Sequence, residues 1–128
     1  MKYSIPLRYS IHVPLVFYPF PVDFLRLAAL DLSCRSTSRI LNSLLENNYI
    51  TIGDVLNATK HDLLNTPNFG QKGLHVVFDM LETLSRRPEL ILKIEFLEQP
   101  TQDKIERLKH VPPIRKQLLE LGILSLGD

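Results

Sequence analysis

The sequence predicts an all-α protein: a compact bundle of short helices, preceded by an extended arm and followed by a helical extension. Three observations lead there. Apolar residues recur at helical spacing, most clearly Leu74, Val77, Phe78, Leu81 and Leu84. Serines and threonines of the type that cap helices stand in front of such stretches. No stretch keeps up the apolar–polar alternation of a half-buried strand. With 128 residues, 45% of them apolar, the protein has material for one domain, or for one domain and part of a second.

The elements follow in order. The run from Ile11 to Val22 is apolar, and Lys2 and Arg8 precede it, so it has the outline of a signal peptide. Pro14, Pro19 and Pro21 break any helix there, no small-residue cleavage site follows, and the run falls short of the ~20 residues a spanning helix needs. Residues 1–20 are therefore expected to form an extended arm. Its aromatics (Phe17, Tyr18, Phe20) either pack on the body or dock a partner protein.

From Val22 to Leu32 a short helix or turn is expected. Ser33, Ser36, Thr37 and Ser38 are candidate caps for a helix over Arg39–Asn47, with Ile40, Leu41, Leu44 and Leu45 at helical spacing. Thr51 caps a short helix, and Thr59 with Asp62 forms a capping-box variant for another. Thr66-Pro67-Asn68-Phe69-Gly70 reads as a tight hairpin leading into a helix from Gln71 to Ser85. After Pro88, Glu89–Leu97 is an apolar helix or strand, and periodicity does not separate the two. Pro100-Thr101-Gln102-Asp103 reads as linker and cap, followed by a charged helix to Lys109 with Ile105 and Leu108 inward.

Leu108–Ile123 resembles a second hairpin and helix, with Pro113 and Arg115 standing where Asn68 and Gly70 stand in the first. Without those residues it is the poorer phosphate clamp. Alternatively, Leu118-Leu119-Glu120 with Gly127-Asp128 mirrors Leu44-Leu45-Glu46 with Gly53-Asp54, as an incomplete second copy. The sequence thus divides into the arm (1–20), a helical domain (21–86) and the extension (87–128).

Charge limits the function classes. Fifteen Lys and Arg against fourteen Asp and Glu leave a net charge of +1, and no segment forms a basic tail. Nucleic-acid contact must then come from a few placed groups, not from a broad field. One cysteine, Cys34, excludes an internal disulfide framework, and four scattered histidines give no metal-ligand spacing. No nucleophile–base or paired-carboxylate arrangement stands out, and His61 and His75 are expected on helix surfaces. The expectation is a cytoplasmic, nucleoid-associated protein that is not an enzyme and needs no metal, cofactor or membrane.

The segment Leu63–Leu74 has the form of a helix-hairpin-helix. Gly70 permits positive φ and close backbone approach. The first amides of the following helix lack intrahelical partners and face outward with the positive end of the helix dipole, so a phosphate fits there. Lys72 in the first turn adds a charge.

Asp31-Leu32-Ser33-Cys34-Arg35-Ser36, then Ile52-Gly53-Asp54-Val55, then Asp62-Leu63-Leu64 through Thr66-Pro67-Asn68-Phe69-Gly70-Gln71-Lys72, resembles the C-terminal domain of the bacterial RNA polymerase alpha subunit. The likeness runs over roughly residues 21–85 with its motifs in the family's order. It implies a compact helical bundle that inserts an arginine into the minor groove of A/T-rich double-stranded DNA and grips phosphates with the hairpin. It also implies contact with activators, sigma factor and RNA polymerase. Gly70 and Lys72 fall on the family's phosphate-contacting positions, and Asn68 sits in the same hairpin. The minor-groove arginine is Arg35 by local motif. By spacing from Gly53 and Asp54 it is Arg39, a register that also places Asn42 on the family's DNA-contacting asparagine; this second register is favoured. Two positions depart from the family: Gly73 replaces a serine that contacts the DNA backbone, and Val76 replaces an acidic residue.

A narrow A/T minor groove has enhanced negative potential, so one arginine counts there for more than its formal charge. Few phosphates are neutralised, so binding is expected to be weak alone and to need a partner or a second copy, which leaves room for an oligomer. The alternative is a protein-interaction adaptor that binds polymerase, sigma factor or another regulator without touching DNA. A third possibility is a helix-hairpin-helix accessory in recombination or repair.

Overall fold

Prolines set the course of the first twenty residues. In the computed structural model, which describes residues 5–29 and 35–123, Pro6 and Pro14 stand in extended conformation, each before a single turn of 3-10 helix (Leu7–Tyr9 and Leu15–Phe17). Pro21 precedes a longer 3-10 helix, Val22–Ala28. Locked φ and missing N–H groups keep this stretch out of continuous helix. Its aromatics are spent internally: Phe17, Phe20 and Phe24 are fully buried. Phe17 meets Phe20 edge-on at 5.3 Å, Phe20 meets Phe24 edge-on at 5.2 Å, and Phe17 stacks on Phe24 at 5.6 Å. Such pairings contribute beyond the area they bury. Phe17 and Phe20 are thus not available to dock a partner, as one reading of the arm had it.

Backbone hydrogen bonds fasten the arm to the domain. Leu7 N donates to Ala58 O at 2.9 Å, and just past the arm Val22 N donates to Ile50 O at 3.0 Å. In return Ile52 N donates to Phe20 O at 2.9 Å and Gly53 N to Tyr18 O at 2.8 Å. These two donors open helix α2 (Ile52–Leu56), so the arm's carbonyls satisfy amides that a helix start otherwise leaves orphaned. Gly53 is needed at this crossing, since a Cβ there would lie 3.0 Å from Tyr18 O. Burial also pushes the Tyr18 hydroxyl above its ordinary value of 10.0, with Arg8 partly offsetting the shift.

Helix α1 (Arg35–Glu46) starts four residues before the expected Arg39, so Ser36, Thr37 and Ser38 lie inside it and do not cap it. Leu30, Asp31, Leu32 and the expected cap Ser33, together with Cys34, lie outside the described residues. Ile40, Leu41 and Leu44 are buried, while Leu45 is exposed. Helix α2 and helix α3 (Lys60–Leu64) each begin with a complete capping box, Thr51 with Asp54 and Thr59 with Asp62. Helix α4 (Gly70–Arg86) buries Leu74, Val77, Met80, Leu81 and Leu84. Met80 takes the core position expected of Phe78, which is half-buried with the Lys60 ammonium 5.2 Å from its ring centre.

Beyond α4 the ambiguous apolar stretch is a 3-10 helix, Pro88–Phe96, kinked at Lys93. It packs on α4 and on Val22–Ala28. Helix α5 (Gln99–Lys109) already includes Pro100-Thr101-Gln102-Asp103, so the expected linker is helical and Glu98 takes the cap position. Pro100 fits its first turn because the N–H it lacks would have had no partner there. Helix α6 (Pro112–Glu120) packs on Leu15–Phe17. Pro113 and Arg115 lie within α6 and do not repeat the left-handed backbone of Asn68 and Gly70. Gly127-Asp128 of the proposed second copy lies outside the described residues.

The extension therefore shares the domain's core: Ile91, Ile105 and Leu118 are fully buried in it. A run of polar contacts adds to this junction. Thr101 Oγ1 donates to Asp23 Oδ2 at 3.4 Å, Asp23 pairs with Arg26 at 2.7 Å, and Arg26 Nη1 donates to Ser38 Oγ at 2.7 Å. It links α5, the 3-10 helix Val22–Ala28 and α1.

Candidate nucleic-acid interface

The turn between α3 and α4 is built by local hydrogen bonds. Thr66 N donates to Leu63 O at 3.0 Å, and the buried Thr66 Oγ1 donates to Asp62 O at 3.0 Å. Phe69 N then donates to Thr66 O at 3.2 Å. Asn68 (φ +63) and Gly70 (φ +65) supply the left-handed steps, which asparagine and glycine tolerate best. Phe69 turns its ring under the first turn of α4, where it is buried. Room for the ring comes from Gly73, whose Cβ, if present, would lie 3.0 Å from the Phe69 Cγ and Cδ2 atoms.

The outcome is a helix start unlike that of α2. The amides of Gly70, Gln71 and Lys72 have no acceptor among the described residues, and Gly73 N is the first of the helix to donate, to Phe69 O at 3.2 Å. Gly70, Gln71 and Lys72 are all exposed. No described residue of the arm or the extension covers them.

Helix α1 lies alongside. Ser43, buried, donates from Oγ to Asn68 O at 3.4 Å and so ties α1 to the tip of the hairpin. Arg39, Asn42, Ser43 and Glu46, spaced to share one side of the helix, line with Asn68 an open hollow of about 680 Å3. A smaller one of about 120 Å3 adjoins it, lined by Ser36, Arg39, Ile40, Asn68, Phe69, Lys72 and Gly73. Arg39 and Asn68 belong to both.

The structure thus brings Arg39, Asn42, Asn68 and Lys72 together beside the exposed Gly70. Arg35 is exposed one turn earlier on the same side of α1 and lines neither hollow. Gly73 faces Phe69, and Val76 is half-buried. Sequence reasoning missed Ser43 and Glu46. Both follow once Arg39 is placed on the face, at four and seven residues further along the same helix. Among the described residues no group of three or more potential ligands could hold a metal ion, and no helix is long and apolar enough to cross a membrane.

The short helix α3, joined through a left-handed turn to the longer α4 with its bare opening amides, defines a helix-hairpin-helix domain within an all-α bundle. Residues 21–83 match the family described as the C-terminal domain of the alpha subunit of bacterial RNA polymerase. That stretch of the protein belongs to this family. Among its relatives, the DNA-directed RNA polymerase subunit alpha of Rickettsia africae (strain ESF-5) is 38% identical over 73 residues, 57% of this protein and 20% of that subunit. Those of Rickettsia akari (strain Hartford) and Rickettsia prowazekii (strain Madrid E) are each 40% identical over 70 residues, 54% of this protein and 19% of the subunit. The match therefore spans about a fifth of the length of these relatives. No solved structure matches.

Proposed function

We propose that the face formed by α1 and the start of α4 binds double-stranded DNA, and that the protein regulates transcription together with RNA polymerase or sigma factor. One observation carries this reading: the acceptor-free amides of Gly70, Gln71 and Lys72 open beside a hollow lined by Arg39, Asn42 and Asn68. The amides and Lys72 receive a backbone phosphate, Arg39 enters an A/T-rich minor groove, and Asn42 and Asn68 add neutral hydrogen bonds. Arg39, rather than Arg35, is the groove residue, because it shares its surroundings with Asn68 and Lys72.

The test is fluorescence anisotropy with A/T-rich and G/C-rich duplexes. Arg39→Ala should abolish the A/T preference, and Arg35→Ala should leave it. Lys72→Ala should weaken both duplexes alike and lower the salt slope by roughly 0.9, the value of one phosphate contact. The adaptor reading draws on Gly73, which is given over to packing Phe69 where the family has a DNA-contacting serine. Indifference of all three variants, with retained capture of polymerase, would favour it.

A further inference from the structure

The hollow that contains Arg39 also contains a carboxylate. Glu46 lines it at the end of α1, is exposed, and has no ion-pair partner among the described residues. Seven residues separate it from Arg39, roughly 10 Å along a helix axis, and the two form no ion pair. The hollow is consequently polarised. Arg39 makes one side positive, toward the adjoining hollow that Lys72 lines, while Glu46 and the carbonyl end of α1, itself the negative pole of that helix, make the other negative. Arg39, Asn42, Ser43 and Asn68 are its other lining residues, and of these only Arg39 is charged.

A duplex seated on this face brings phosphates along both sides of the groove that Arg39 enters. An A/T minor groove offers only acceptors, adenine N3 and thymine O2, and no donor for a carboxylate. Glu46 therefore meets like charge or acceptors wherever such DNA passes it. We propose that Glu46 sets the DNA affinity of this face by opposing the bound duplex, keeping the domain's own binding low so that occupancy depends on a second contact elsewhere. The inference rests on the DNA-binding reading above.

Anisotropy on the 128-residue protein, with A/T-rich and G/C-rich duplexes and the variants Glu46→Gln, Glu46→Asp and Arg39→Ala, tests it. Glu46→Gln should tighten both duplexes by roughly two- to fivefold at low salt, as expected for relief of one repulsion across a solvated gap. That gain should shrink as added salt shortens the screening length below ~8 Å. Glu46→Asp, which keeps the charge, should bind like the wild type. Unchanged binding by Glu46→Gln would overturn the inference. So would a weakening confined to the G/C-rich duplex, which would make Glu46 an acceptor for the guanine amino group. If Arg39→Ala weakens binding while Glu46→Gln changes nothing, the inference fails and the DNA-binding reading stands. If neither variant changes binding, both fail.

Discussion

Replacing Gly73 by serine, the residue the resembling family carries there, puts the packing of the hairpin to a direct test. Serine is a better helix residue than glycine, by roughly 0.5 kcal/mol, so on propensity alone the change would stabilise α4. Packing opposes it. A Cβ at residue 73 would lie 3.0 Å from Cγ and Cδ2 of Phe69 and 3.2 Å from Cδ1. Because Phe69 is buried, its ring cannot move aside without shifting the turn that carries Asn68 and Gly70. Overfilling a packed site costs about 1–3 kcal/mol, so the net loss should be about 0.5–2.5 kcal/mol. For a protein of this size about 1 kcal/mol corresponds to a fall of about 3–5 °C in Tm. Urea and thermal unfolding measure the loss, and anisotropy on a duplex reads the shift of the hairpin. In a Phe69→Leu background the clash is largely gone, and Gly73→Ser should cost less there than in the wild type. A Gly73→Ser protein as stable as its parent, or an equal cost in both backgrounds, would refute the contact between ring and helix.

Three further outcomes are expected. Phe17→Ala should lose about 3–5 kcal/mol in urea unfolding, because its ring sits fully buried between Phe20 and Phe24; a loss below about 1 kcal/mol would mean that the arm is dispensable. Thr51→Ala and Thr59→Ala should each cost about 1 kcal/mol, and the double variant should lose close to their sum if the two capping boxes act independently. Stability should also fall as pH rises past 10: the unfolded protein then releases the Tyr18 proton that burial retains in the fold. Tyr18→Phe should flatten that part of the pH profile.

Local chemistry was the most legible part of the sequence. Thr59 with Asp62 reads as a capping box and Thr51 as a cap; both caps form, and Asp54 completes a second box at Thr51. The turn through Asn68 and Gly70 is equally local, and both residues take positive φ. What needed the third dimension was harder to read. The start of α1 lay beyond its apolar pattern, since Arg35–Ser38 carry little hydrophobic signal; tertiary contacts such as Arg26 to Ser38 accompany the extra turn. Met80 and Phe78 both fall near the inner face of α4, but Met80 is buried while Phe78 stays at the edge with the Lys60 ammonium beside its ring. Glu89–Leu97 lacked a readable period because 3-10 geometry repeats every three residues and a kink at Lys93 interrupts it. At the interface, Gly70, Lys72 and Asn68 were legible from the motif, whereas Glu46 acquired meaning only when α1 was laid against the hairpin.

The carbonyls of Tyr18 and Phe20 that cap α2 bear on how this protein can be dissected. A fragment trimmed to residues 21–83 would retain Arg39, Asn42, Asn68, Gly70 and Lys72, yet it would strip the acceptors from Ile52 N and Gly53 N. It would also bare the apolar side chains that Phe17, Ile91 and Leu118 now shield. Such a piece would carry every residue of the proposed DNA-binding face on a weakened scaffold, and a failure to bind would then report on folding, not on recognition.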